Sequence, residues 1–405
     1  MDYGHYFSGD AACMQYSAIR KMAQMSSQAG IISFSAGAPS VETFPAEEIL
    51  EVTAKVLAGE SLCALQYGAT LGHSGLIDAV MELCAERGLP GVRREEVAIT
   101  GGSQQALDLL GRILVDPGDT VFFELPSYIG AISVFRNLQA RMVGVRQADD
   151  GIEIEDLVAR IRQIRGEGGR AKVIYLIPNF QNPSGVTLSP AKRRKLLEVA
   201  DEYDLLLVED DPYGEVYFDS SQPADLVPVK SFDLGGRVIY ISTFSKILAP
   251  GLRTGWVVAA APIIEKLDLA KQACDLCGSM LDQRIVAECW KQGIIQKHLP
   301  GIRVFYQAKC RAMLNALVDH MPAGIQWTRP AGGLFLWLSL PRHLDSAELL
   351  LECLESARVS YVIGQPFHVN GEGSHTMRLA FSRENEDNIA LGVQRLARVF
   401  KSHPG

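Results

Sequence analysis

The middle of the chain alternates short apolar runs with stretches of helical spacing. Val97–Thr100, Thr120–Glu124, Lys172–Ile177, Leu205–Glu209, Val238–Ser242 and Gly255–Ala260 read as strands. Continuous apolar runs, rather than in-out alternation, mark strands covered on both faces. Between them, Gln104–Val115 and Pro190–Tyr203 have the spacing of helices, the second opened by Ser189 as an N-cap. Strands separated by helices predict an α/β fold: a mainly parallel sheet wound by helices on both sides.

The last third changes character. Leu299–Val318 reads as a long helix, Gly333–Ser339 and Thr376–Phe381 as strands of a smaller sheet. Between them lie a helical Asp345–Ala357 and a short strand, Val359–Ile363. This predicts a second, α+β domain. The first 50 residues hold a helical stretch (Met14–Gln28), a strand-like Ile31–Ser35 and a loop rich in Gly, Pro and Ser. The expected division is an N-terminal segment, 1–50, packing near the domain interface, then a large domain, 51–290, and a small domain, 291–405.

Composition narrows the picture. With 405 residues, 47% hydrophobic and 21% charged, the chain has ordinary globular composition, not that of a disordered, collagenous or coiled-coil protein. The net charge is −8, and no block of five or six like charges occurs, so a nucleic-acid surface gets no support. The eight cysteines are scattered, as suits reduced cytosolic thiols. Met1-Asp2-Tyr3-Gly4-His5 shows no basic region followed by an apolar stretch, so no signal peptide is expected, and the apolar run Gly255–Ile264 is about half the length needed to span a bilayer. The expectation is a soluble cytoplasmic protein with no membrane or nucleic-acid partner.

In open α/β sheets, ligands bind beyond the carboxyl ends of the strands. The segments following the predicted strands are Gly101-Gly102-Ser103-Gln104, Pro126-Ser127-Tyr128, Asn179–Gly185, Asp210-Asp211-Pro212-Tyr213 and Thr243-Phe244-Ser245-Lys246, with Arg253 seven residues beyond the lysine. Each alone has an ordinary reading as a cap, a turn or a solvated side chain. Together, at five strand ends, they suit one chemistry. A helix start with hydroxyls and an arginine suits a phosphate. An aromatic face suits a heteroaromatic ring, a carboxylate suits a protonated pyridine nitrogen, and Tyr and Asn suit a phenolate oxygen. A lysine amine suits an aldehyde. The set describes pyridoxal 5'-phosphate.

On these motifs the chain resembles the fold-type I pyridoxal-phosphate enzymes of the class I/II aminotransferases, which implies seven strands in the large sheet. It is most similar to the branch holding 2-aminoadipate and kynurenine aminotransferases and the effector domains of MocR-type regulators. Tyr67-Gly68, Gly251-Leu252-Arg253-x-Gly255 and Pro330-x-Gly332-Gly333-Leu334-Phe335-x-Trp337 extend the likeness. The resemblance implies that Lys246 carries the cofactor through a Schiff base and acts as base, and that Asp210 pairs with the pyridine nitrogen. Tyr213 and Asn182 would bind the phenolic oxygen, and Tyr128 would stack on the ring. Gly102, Ser103, Gln104, Thr243, Ser245 and Arg253 would hold the phosphate. Tyr67 would reach the neighbouring subunit's phosphate in a homodimer with shared sites. Arg378 and Gly37 would meet the substrate α-carboxylate, and Arg20, in Ser17-Ala18-Ile19-Arg20, would turn toward a distal carboxylate. The implied reaction moves an amino group between an L-amino acid and a 2-oxo acid, with glutamate and 2-oxoglutarate as one pair.

The chain also departs from the family pattern. Ala36-Gly37-Ala38-Pro39 stands where relatives have two glycines, and Ile363-Gly364 where a Pro-Gly pair is usual. This keeps open elimination, replacement or cyclisation on the same scaffold. A ligand-sensing regulator domain is the remaining alternative, disfavoured because too few residues precede Ile19 for a DNA-binding domain. Cys274-x-x-Cys277 reads as structural packing rather than a metal or redox pair, and no metal site is expected. His368 or His375 could line the pocket beside Arg378. Arg165–Arg170, rich in glycine, precedes a strand and reads as a surface turn rather than a phosphate loop.

Overall fold

The computed structural model describes residues 3–14, 16 and 30–403. Its strands, in chain order, are β1 (Ile32–Ser33), β2 (Val97–Thr100), β3 (Thr120–Leu125), β4 (Arg141–Ala148), β5 (Gly151–Ile152), β6 (Ala171–Leu176) and β7 (Leu206–Asp210). There follow β8 (Val238–Thr243), β9 (Gly255–Val258), β10 (Gln326–Trp327), β11 (Phe335–Ser339), β12 (Val359–Ser360), β13 (Val362–Ile363) and β14 (Thr376–Ala380).

The apolar runs of the middle region build one sheet in the order β2-β9-β8-β7-β6-β3-β4-β5. The pairs β3/β4, β3/β6, β6/β7 and β7/β8 are parallel. β9 runs antiparallel to both β8 and β2. The sheet has eight strands rather than seven, the extra one being the two-residue β5 at one edge. Every residue of β2, β8 and β9 is buried, as their unbroken apolar character requires. β4 escapes that pattern because only Val145 of its eight residues is buried. Helix Ser103–Leu114 turns Ala106, Leu107, Leu109 and Leu110 inward. Helix Pro190–Glu202 is capped as expected, Ser189 Oγ accepting from the Lys192 amide at 3.4 Å.

A smaller antiparallel sheet, β10-β11-β14-β13, carries the C-terminal region. Its long helix runs Ile294–His320, five residues earlier than the spacing predicts, and contains Pro300. A proline there removes one backbone hydrogen bond, while the added turn buries Ile295. Asp345 caps helix Ser346–Glu352, which runs into a π turn, Cys353–Ala357. The predicted strand Val359–Ile363 is split at Tyr361 between two sheets. β12 pairs parallel with β1, and β13 antiparallel with β14.

The segment after residue 30 joins the two sheets. The Ile32 and Phe34 amides donate to the Arg358 and Ser360 carbonyls, each at 2.9 Å, and the Ala380 amide donates to Phe34 O at 2.8 Å. The chain then runs on through Ala36–Pro39 to the ends of the large-sheet strands. Apart from Met14 and Tyr16, the expected helix Met14–Gln28 lies outside the described residues.

Candidate active site

One cavity of about 420 Å³ opens at the carboxyl ends of β3, β6, β7 and β8. It gathers Gly37, Ser103, Gln104, Tyr128, Asn182, Asp210, Tyr213, Thr243, Ser245, Lys246, Arg253 and Arg378. These come from segments far apart in the chain, and the strand ends bring them together. Ala36, Ala38, Pro39, Ile177, Pro212 and Pro250 complete the wall; as small or apolar residues they carry no chemical signal in the sequence.

One end of the cavity is a ring of donors. Gly102 sits before helix Ser103–Leu114 at φ 85°, and a Cβ there would lie 2.7 Å from Arg253 Nη2, so this position needs glycine. Gly102 itself does not line the cavity; it makes room for Arg253, which donates to Gly101 O at 3.0 Å. Across from it, Thr243 Oγ1 accepts from the Ser245 amide at 3.1 Å, and the two hydroxyls are 2.9 Å apart. Close packing of β8 on β9 sets this corner. A Cβ on Gly255 would lie 2.8 Å from Ser242 O and 2.9 Å from the Gly102 backbone. Helix-start amides, hydroxyls and a guanidinium form an anion cradle.

Tyr128 forms a side wall. Its hydroxyl donates to Gln104 Oε1 at 3.1 Å, and Gly130 leaves space for the ring, which a Cβ would meet at 2.4 Å. Burial pushes the Tyr128 phenol up to about 12, so it stays a neutral donor.

Two neighbouring aspartates point in opposite directions. Asp210, the last residue of β7, faces the cavity. Tyr175 donates to its Oδ2 at 2.9 Å, and its Oδ1 is buried without a partner. Desolvation, opposed by the Tyr175 hydrogen bond, pushes Asp210 up to about 7. Asp211 faces away, accepting from Arg87 at 2.8 Å, Asn179 at 3.1 Å and the Gly214 amide at 3.1 Å. Arg87 also reaches Glu215 at 3.1 Å, which Arg303 holds at 2.8 Å. This buried chain anchors the turn that carries Tyr213.

Asn182 Nδ2 donates to Tyr213 OH at 3.4 Å, and its Oδ1 accepts from Arg378 Nη1 at 3.0 Å. Gln181 fixes that loop, donating to Pro126 O at 2.6 Å and accepting from Ser184 N at 2.8 Å. Arg378 is 1% exposed and lies between the Phe335 and Phe367 rings, at 4.4 and 5.4 Å. Its Nη2 donates to Ser35 O at 2.8 Å, while its Nε has no partner. Burial lowers Arg378 to about 10, which still leaves it charged at neutral pH. Gly37 lies against this pair, and a Cβ there would press to 2.9 Å from Phe335.

Lys246 stands 5.8 Å from the Tyr213 ring centre. Among the described residues no hydrogen bond or ion pair holds its amine. Of the described residues, the two buried lysines are engaged: Lys271 with Asp275 at 2.7 Å, and Lys309 with Ser382 O at 3.4 Å. Desolvation, then the Arg378 and Arg253 charges, lowers Lys246 to about 8.

Several expectations fall elsewhere. Tyr67 is 77% exposed and outside the cavity. Arg20 lies outside the described residues. Neither His368 nor His375 lines the cavity; His368 packs against Trp337 at 6.1 Å, both ring nitrogens without partners. Cys274 is exposed rather than packed, and Cys277 is half-buried. The sequence reading missed Tyr175 and Arg87. Tyr175 is an aromatic inside an apolar strand, and its phenol shows its role only once β6 and β7 are paired.

The model of the family "Aminotransferase class I and II" matches residues 29–396. Aromatic-amino-acid aminotransferase 1 of Thermococcus litoralis is 41% identical over 99% of this chain and 95% of its own length. The crystal structure of Pyrococcus horikoshii kynurenine aminotransferase, solved with PMP, KYN and KYA, superposes with a TM-score of 0.95. It is 39% identical and covers 100% of this chain and 99% of its own. LysN, the α-aminoadipate aminotransferase of Thermus thermophilus, complexed with N-(5'-phosphopyridoxyl)-L-leucine, gives a TM-score of 0.90. It is 38% identical and covers 99% of each chain. The chain belongs to the class I and II aminotransferases and is an enzyme of fold type I that transfers amino groups between amino acids and keto acids.

Proposed function

We propose that the cavity binds pyridoxal 5'-phosphate and that the enzyme moves an amino group between an L-amino acid and a 2-oxo acid, with glutamate and 2-oxoglutarate as one pair. The observation that carries this reading is a single cavity holding three groups with free valences: the unpaired Lys246 amine, the unpartnered Asp210 Oδ1 and the Arg378 fork. The residues fit the cofactor. A buried carboxylate oxygen with no partner suits a protonated ring nitrogen. Tyr213 and Asn182 suit the ring hydroxyl, and Tyr128 suits the ring face. Ser103, Gln104, Thr243, Ser245 and Arg253 suit the phosphate. When bound, the cofactor supplies an aldehyde that condenses with amines and a ring that accepts electrons as the α-proton leaves.

The protein supplies the rest. Arg378 orients the substrate carboxylate with its free Nε–H and the second N–H groups of its fork. Lys246, lowered to about 8, is neutral in a useful fraction near pH 7 and moves the α-proton. Asp210 holds a proton at the ring nitrogen. Tyr128 and the wall Ala36–Pro39 limit water around the reacting atoms.

We further propose a cytoplasmic homodimer with shared sites, in which Tyr67 reaches the partner's phosphate cradle. Leu62 and Leu65, 88% and 71% exposed, stand beside Tyr67 as an apolar surface that a second subunit would cover. No helix among the described residues is long and apolar enough to cross a membrane. The proposed division is an N-terminal segment, 1–50, a large domain, 51–290, and a small domain, 291–405.

A single-turnover screen of amino acids tests the reaction. The expected result is one 2-oxo acid released per site, with an equal amount of amine retained by the protein. Release of ammonia with no amine retained would make the enzyme an eliminase instead.

A further inference from the structure

We propose that Tyr175 is a positioning residue of the transamination site, its hydroxyl selecting which oxygen of Asp210 meets the cofactor and keeping that carboxylate in its charged form. The proposal rests on the reading of Asp210 as the partner of the ring nitrogen.

The sheet register places the two together. Tyr175 on β6 pairs with Val208 on β7. Alternation along β7 puts Val208 and Asp210 on the same face. Tyr175 therefore lies diagonally below Asp210, and a side chain as long as tyrosine spans the step. Its hydroxyl donates to Asp210 Oδ2 at 2.9 Å, and its ring is fixed 5.5 Å from that of Phe123. The residue is fully buried. Desolvation, then the adjacent Asp210 charge, holds its phenol well above the usual range, so it keeps the proton that it donates to Asp210. One oxygen of the carboxylate is thereby occupied. The other, Oδ1, is buried, lacks a partner among the described residues and belongs to a side chain that lines the cavity.

A donor on a carboxylate favours its charged form. Asp211 raises the basicity of Asp210, and Lys246 lowers it; neither hydrogen-bonds to it. Arg87 neutralises Asp211 from the far side at 2.8 Å. Tyr175 is thus the one described side chain that both orients Asp210 and weakens it as a base. Without the hydroxyl the carboxylate is free to turn, and a more basic Asp210 draws the shared proton away from the ring nitrogen.

The test uses holoenzyme reconstituted with pyridoxal phosphate labelled with 15N in the ring. In Tyr175→Phe the ring-nitrogen chemical shift should move toward that of neutral pyridine, and kcat should fall roughly tenfold at unchanged KM. Incorporation of 3-fluorotyrosine at 175 keeps the ring and the hydroxyl and should preserve both the shift and kcat. Wild-type shift and kcat in Tyr175→Phe, while Asp210→Asn alters both, would overturn the proposal and leave Tyr175 as packing. Equal impairment of the Phe and fluorotyrosine variants would also overturn it, because the hydroxyl would not be the cause. A protonated ring nitrogen and full activity in Asp210→Asn would instead refute the reading of Asp210, and this proposal with it.

Discussion

The strand-end floor of the site and the surface around Tyr67 differ in how complete they are within one chain. On the floor, Asp210, Tyr213, Asn182, Thr243 and Arg378 are all buried, and each is held by a hydrogen bond within the chain. Around Tyr67, the exposed Leu62, Leu65 and Tyr67 contact little of their own chain. Exposed leucines beside a tyrosine cost solubility and contribute nothing to this subunit's core. A preorganised floor can set protonation states without outside help, whereas the proposed dimer would make activity depend on assembly.

Breaking the floor should have the largest effect. Lys246→Ala removes the amine that moves the proton, and turnover should fall by roughly a hundred- to ten-thousandfold in steady-state assays. The fold should persist, because nothing among the described residues bonds to that amine. Next is Arg378. Arg378→Lys replaces a planar fork with a point charge and should raise KM for the amino substrate by about tenfold or more at nearly constant kcat. A fall confined to kcat would place the carboxylate elsewhere.

The rim can be broken separately. Leu62→Glu with Leu65→Glu should yield monomers in sedimentation and lose activity while keeping the far-ultraviolet circular dichroism. A sharper comparison mixes Lys246→Ala with Tyr67→Ala subunits. If Tyr67 completes the partner's site, half of the randomly formed dimers carry one intact site, and roughly a quarter of wild-type activity returns. No gain on mixing would exclude a role for Tyr67 in the partner's site.

The smallest effect is a shift in pH. Lys246 is lowered to about 8, chiefly by desolvation and then by Arg378 and Arg253. Capture of an aldehyde by the apoprotein needs the neutral amine, so its rate should rise about tenfold per unit up to that pH and then level off. Removing a positive neighbour favours the charged amine, so Arg378→Leu should move the inflection upward. A downward move would contradict the assignment.

The same contrast explains what could be read from the sequence. The central strands were legible because burial on both faces leaves unbroken apolar runs, and their ends named nearly every polar residue of the cavity. β4 was not, since its half-exposed residues resemble a loop. Tyr175 and Arg87 could not be recognised as support for Asp210 and Asp211, because those contacts depend on strand register and, for Arg87 and Asp211, join residues more than 120 positions apart. The small residues Ala36 and Ala38 line the cavity only because β1 ties their segment to β12. Cys274 misled because a helical position predicts nothing about which side faces solvent when its neighbours are mixed.

The central claim is that Lys246 is the amine around which the floor is built. Borohydride reduction of the pyridoxal-phosphate-loaded enzyme, followed by peptide mapping, tests it directly. The expected result is one label per chain, on Lys246. Lys230 is the instructive rival: it is also well inside the protein, but its amine donates to Val238 O at 2.8 Å. A label on Lys230, or on the exposed Lys266, would contradict the assignment and move the site away from the strand ends.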